Sequence, residues 1–164
     1  MQQEIYEKLL NKIKTFEKKT IYLPLIGEQI KYNLIHIIDG SEKFTLIINR
    51  RGHRNTNNLS ILLNSKTQNG HMIRFDVNGA DHSNPPKYER VPTPHLHIFT
   101  DEYDNGRIAI PLKNIKNVKL INELIDALDF IMDYTNIERE NIEIISDLFY
   151  KDRGEKQWKQ LKQK

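Results

Sequence analysis

Ile5, Leu9 and Ile13 recur every four residues, with Leu10 and Phe16 beside them, and this spacing predicts an amphipathic helix over about Gln2–Lys19. Pro24 and Gly27 end the short extended piece that follows. The period then changes to two. Asn33–Ile38 reads as a strand, Asp39-Gly40 as a hairpin turn, and Lys43–Arg50 alternates, with Phe44, Leu46 and Ile48 on one face. Leu59–Lys66 repeats the pattern with Leu59, Ile61 and Leu63. Asn69-Gly70 is a turn, and His71–Asn78 is the hairpin partner. Gly79, Pro85, Pro86 and Pro92 interrupt Gly79–Thr93, which predicts a long loop without regular structure. Pro94–Thr100 and Arg107–Leu112 are strands around an Asp104-Asn105-Gly106 turn. Val118, Ile121, Leu124, Ile125, Leu128, Ile131 and Met132 form one broad stripe, so Asn117–Thr135 is predicted helical. Asn136–Phe149 fits either period: Ile142 and Ile144 suit a strand, while Ile137, Ile145 and Leu148 suit a helix.

A helix, a run of antiparallel strands and a second helix make an α+β pattern. The expected fold is an antiparallel sheet of about five to six strands, with the N- and C-terminal helices packed on one face. The other face should be the more polar one. At 164 residues the chain suits one domain, assigned to 1–150, followed by a basic tail over 151–164. No cysteine is present, which excludes disulfides and thiolate metal sites. No apolar run approaches the roughly 20 residues of a membrane span. The opening M-Q-Q-E-I-Y-E lacks an apolar leader core, and a cytoplasmic location is expected. The net charge of +3 is modest but unevenly spread. Arg50, Arg51, His53 and Arg54 form a basic knot suited to phosphate contacts, and the tail is lysine-rich, whereas Glu123–Glu143 is acidic.

The chemistry concentrates between Arg74 and His97, where three of the six histidines fall beside an arginine and an aspartate. Alternation puts Ile73, Phe75 and Val77 toward the core and Arg74, Asp76 and Asn78 on the opposite face. By the same rule Leu96 and Ile98 face the core, and His95 and His97 point outward together. His82 can join them from the loop. Three readings of this group stand. Imidazoles are suited to general acid–base work on a phosphodiester, with Arg74 stabilising phosphate charge and Asp76 orienting a ring. Three histidines and a water match an open zinc site. The third reading is structural, with imidazoles holding the proline-rich segment through hydrogen bonds. His36 reads as a core or edge residue and His71 as a turn partner.

The run R-F-D-V-N-G-A-D-H-S-N-P, followed by H-L-H-I-F-T-D-E-Y and I-A-I-P-L, resembles a family of small uncharacterised proteins from Firmicutes and related bacteria that occur in phage, plasmid and island contexts. The resemblance spans roughly Phe44–Asn136, and Arg74, Asp76, Gly79, His82, Asn84, Pro85, His95, His97 and Pro111 match its pattern. It brings no established reaction. Where the family continues Asn-Pro-Asp-Gly, this chain has Asn84-Pro85-Pro86-Lys87, so the loop takes another course. Such genomic contexts imply RNA or a defence complex as target.

The resulting expectation is a mobile-element protein that binds and cleaves RNA without a metal or cofactor, as a toxin-like or anti-defence ribonuclease. His82, His95, His97, Arg74 and Asp76 are its catalytic candidates, and Arg50, Arg51, His53 and Arg54 its nucleic-acid contacts. The alternative is a non-catalytic, anti-CRISPR-like inhibitor that docks on a defence nucleoprotein. Expected partners are RNA or such a complex, together with a cognate antitoxin or effector protein, and no membrane.

Overall fold

The computed structural model describes residues 1–52, 57–115 and 123–146. Its frame is a seven-stranded antiparallel sheet in the order β1-β3-β4-β5-β6-β9-β10. These strands are β1 (Lys14–Phe16), β3 (Gln29–His36), β4 (Lys43–Asn49), β5 (Leu59–Ser65), β6 (Gly70–Asn78), β9 (His95–Ile98) and β10 (Ala109–Pro111). β2 (Thr20–Tyr22) pairs in parallel with β11 (Glu143–Ile145), and β7 (His82–Asn84) pairs with β8 (Glu89–Val91). The helices are α1 (Gln3–Asn11) and α2 (Glu123–Tyr134). The α+β class expected from the sequence is present, with a wider sheet than the five to six strands anticipated.

The core lies on one face of the sheet. Phe44, Leu46, Ile48, Ile61, Leu63, Ile73, Phe75 and Leu96 are fully buried there beneath Leu128, Phe130 and Ile131 of α2 and Tyr6 and Leu9 of α1. Phe75 meets Phe130 with ring centroids 5.0 Å apart. Alternation makes this possible: it is strict in β4 and holds over Ile61–Asn64 and Ile73–Asn78, with register shifts at the two ends of the β5–β6 pairing.

Two elements differ from the sequence expectation. The helix expected over Gln2–Lys19 stops at Asn11. Ile13, which carried the helical period onward, is 41% exposed, and Lys14 is fully buried in its place. Lys14 Nζ donates to the carbonyls of Leu10 (3.0 Å), Lys12 (2.8 Å) and Thr135 (2.8 Å), closing the C-terminal ends of both helices. The segment Gly79–Thr93 also contains the β7–β8 hairpin, tied by an Asp81–Arg90 ion pair, where only loop was expected. Prolines punctuate this segment without preventing a three-residue ladder beside them. The ambiguous stretch after Asn136 resolves at Ile144 as a strand. The start of the second helix, His53, Arg54 and the tail over 151–164 lie outside the described residues.

Candidate functional site

Cross-strand register builds the site. One row of partners across the sheet runs Lys31–Ile47–Leu62–Arg74–His97–Ala109, and the next runs Gln29–Asn49–Ser60–Asp76–His95–Pro111. Directly opposed residues share a face. The face opposite the helices therefore carries Arg74, Asp76, His95 and His97 as two adjacent pairs on β6 and β9.

The side chains close on Asp76. Its Oδ2 accepts from Arg74 Nε at 2.9 Å and lies 3.5 Å from His95 Nε2 and 3.3 Å from His97 Nε2. The His95 and His97 rings are 5.0 Å apart, and His82 sits 4.8 Å from His97 and 6.1 Å from His95 by ring centroids. Burial on its own would raise the Asp76 carboxyl. Where the facing His95 and His97 rings carry a proton on Nε2, that hydrogen bonding, together with the Arg74 charge, outweighs it and holds the group below the usual carboxylate range.

The sequence places both strand histidines outward, and on their strand they do face away from the helices. Yet each is only 1% exposed, against 20% for the Asp76 side chain and 37% for Arg74. The segments flanking β9 cover them. The Pro92 carbonyl accepts from His95 Nδ1 at 3.1 Å, and the Gly106 carbonyl accepts from His97 Nδ1 at 2.7 Å. His82 Nε2 donates to the Arg107 carbonyl at 2.8 Å. Asn84 holds the hairpin down by pairing both ways with Ala109: its Nδ2 donates to the carbonyl at 2.9 Å and its Oδ1 accepts from the amide at 2.8 Å. One side chain thus stands in for a strand on the free edge of β10. Gly106 is required at its position. Its φ is +86°, and a Cβ there would lie 2.6 Å from the Phe99 ring.

The predicted basic knot separates from this centre. Arg50 is half-buried, and its Nη1 donates to the Pro24 carbonyl at 3.1 Å. Arg51 is exposed. Both follow Asn49, which stands two strands from Asp76, roughly 10 Å across the sheet. His36 is buried with Nδ1 2.9 Å from Asp39, and His71 pairs with Asn64 at 2.7 Å. The sequence did not mark the Pro92 and Gly106 carbonyls that hold the imidazoles, or Asn84 as the clamp on β10. Proximity to the proline loop and the Asn-Gly turn was the available signal.

A family model described as "Family of unknown function (DUF6978)" matches residues 1–137. The chain belongs to this family. No curated protein and no solved structure matches it. The family match takes in β1 to β10, and with them every residue of the Asp76 centre. No helix among the described residues is long and apolar enough to cross a membrane.

Proposed function

We propose that the chain binds RNA along the polar face of its sheet and cleaves it at the Asp76 centre. The observation that supports this reading is the charge and placement of Arg74. Its Nε is held by Asp76, while among the described residues no hydrogen bond engages its two terminal nitrogens. A guanidinium fixed in this way presents a ready fork to a phosphate. Lys31 and Lys43 stand exposed on the same face, and Asp76 is the one carboxylate among the described strand positions there. A face with this balance favours a polyanion over an acidic protein.

The division of labour follows from exposure. His95 and His97 are buried too deeply to touch a polymer, so they serve as positioning residues for Asp76. His82 is the most accessible of the three, and its Nε2 is spent on the Arg107 carbonyl, which leaves Nδ1 as its basic nitrogen. In the proposed reaction His82 Nδ1 takes the 2′-hydroxyl proton as that oxygen attacks phosphorus. The bond from phosphorus to the 5′-oxygen breaks, water protonates the leaving oxygen, and Arg74 stabilises the charge on the phosphate. The products carry a 2′,3′-cyclic phosphate and a 5′-hydroxyl. A cytoplasmic, mobile-element setting, with cellular RNA or the guide of a defence complex as substrate, belongs to the same proposal.

The test is incubation of purified protein with labelled total RNA and a guide RNA, beside Arg74→Ala and His82→Ala. Cleavage in the wild type, reduced at least about a hundredfold in either folded variant, is the expected result. Undiminished cleavage in both variants, or none in any sample, contradicts the proposal. In the second case a search for a stoichiometric complex with a defence effector becomes the next step.

A further inference from the structure

The Asp76 centre contains an imbalance that hydrogen bonding among its own residues leaves in place. A carbonyl oxygen only accepts, so the bonds to the Pro92 and Gly106 carbonyls require the proton of each imidazole to sit on Nδ1 of His95 and His97. In the neutral rings each Nε2 then holds a lone pair. Both lone pairs aim at Asp76, and with its carboxylate oxygen they form a set of three acceptors within 4.8 Å of one another. His97 Nε2 is buried without a hydrogen-bond partner. Three converging acceptors in a buried place repel one another unless something positive stands between them.

A proton and a metal ion are the two candidates, and distance separates them. An imidazolium N–H bonded to a carboxylate closes to about 2.7–2.9 Å. The separations here are 3.5 and 3.3 Å. Donors around a tetrahedral ion with bonds of about 2.0–2.1 Å stand about 3.3–3.4 Å apart; the two carboxylate–imidazole separations match this edge, and the three ligand atoms together lie within 4.8 Å of one another, so the two imidazoles would draw together on binding. The backbone contacts agree. Metal-bound histidines donate their other ring N–H to a carbonyl or carboxylate, which fixes tautomer and ring angle. His95 and His97 both do so, from the strand next to the sheet edge, whose neighbour β6 presents the carboxylate in register.

We propose that Asp76, His95 and His97 bind a divalent first-row transition ion, zinc being the best fit to this sulfur-free N₂O donor set. Arg74 Nε contacts the same carboxylate oxygen and is an outer partner that moderates its donor strength. Three protein donors leave a fourth position, which a water would fill. The inference goes beyond the ribonuclease reading and does not rest on it, because the donor geometry is the same whatever the substrate.

The test uses the full chain, stripped with EDTA and titrated with zinc alone, with no RNA present. Calorimetry and elemental analysis read stoichiometry, and thermal unfolding reads linkage. The expected result is one ion per chain and a rise in Tm of about 5–10 °C at a hundredfold excess over Kd. The nearly isosteric Asp76→Asn variant, with wild-type circular dichroism, should bind at least about tenfold more weakly. His97→Gln should behave alike, and it guards against a local effect of the Arg74 pair. Absence of stoichiometric uptake of zinc, manganese or iron by folded wild type overturns the proposal. So does equal zinc affinity in the wild type and both variants, which would place the ion on other histidines. RNA cleavage that persists in EDTA alongside zinc binding would leave the site standing and limit its role in that reaction. Zinc binding without cleavage would do the reverse damage, to the ribonuclease reading alone.

Discussion

Two buried polar centres lie on opposite faces of one sheet, and they are built on opposite terms. On the helix face Lys14 has three N–H donors and three carbonyl partners, from Leu10, Lys12 and Thr135, with the Phe44 ring 4.9 Å away. In the charged form every donor is used. On the other face His95, His97 and Asp76 converge with more acceptors than donors, and His97 Nε2 has no hydrogen-bond partner. A saturated centre joins parts of a structure. An unsaturated one, held in place by carbonyls and a guanidinium, leaves acceptors that the described residues do not satisfy. The contrast also separates two polar groups: Lys14 has a carbonyl for each of its donors, and Asp76 faces imidazole nitrogens that hydrogen bonding leaves unmatched.

The comparison breaks most visibly at Lys14. Lys14→Met keeps the volume and removes the donors, leaving three helix-end carbonyls without partners, so it should cost about 3 kcal/mol. That corresponds to a fall in Tm of about 6–12 °C for a chain of this size, read by urea and thermal unfolding. The pH profile sharpens the test. Burial, helped by the charge of Lys12, pulls Lys14 from 10.5 down to about 7. Between these values the unfolded chain holds a proton that the folded chain has released, so stability should rise with pH across that window and level off below it. In Lys14→Met this rise should be missing.

The supports of the other centre come next. Gly106→Ala introduces a Cβ against Phe99 at a φ of +86° and should cost roughly 1–3 kcal/mol while disturbing the carbonyl that holds His97. Gly40→Ala, at a φ of +62° with open space around it, is the matched control and should cost about 1 kcal/mol. Equal losses in urea unfolding, with unchanged His97 ring resonances in Gly106→Ala, would remove Gly106 from the site's supports.

What the sequence disclosed, and what it hid, follows the same division. The strands β4, β5, β6 and β9 were legible because alternation is a local property, and Phe44, Ile61, Phe75 and Leu96 mark the core face without help from the rest of the chain. The nearness of Arg74, Asp76, His95 and His97 followed once β6 and β9 were paired. The end of α1 was not legible. Lys14 reads as an ordinary surface lysine, and its partner at Thr135 is 121 residues away. The burial of His95 and His97 was hidden for the same reason. It depends on the carbonyls of Pro92 and Gly106 and on the Asn84 clamp, which are tertiary contacts. Alternation reports which face a residue takes and says nothing of what covers that face.

The smallest expected effect decides most. Asp76→Asn preserves shape and removes the charge on which the centre converges. In urea unfolding of EDTA-treated protein at neutral pH we expect a loss of only about 1 kcal/mol, its sign set by the ionised carboxyl that the folded chain favours and its small size by the acceptor crowding that the amide relieves. A loss as large as that of Lys14→Met would show that the Asp76 centre is a structural joint like its counterpart, and would contradict the account.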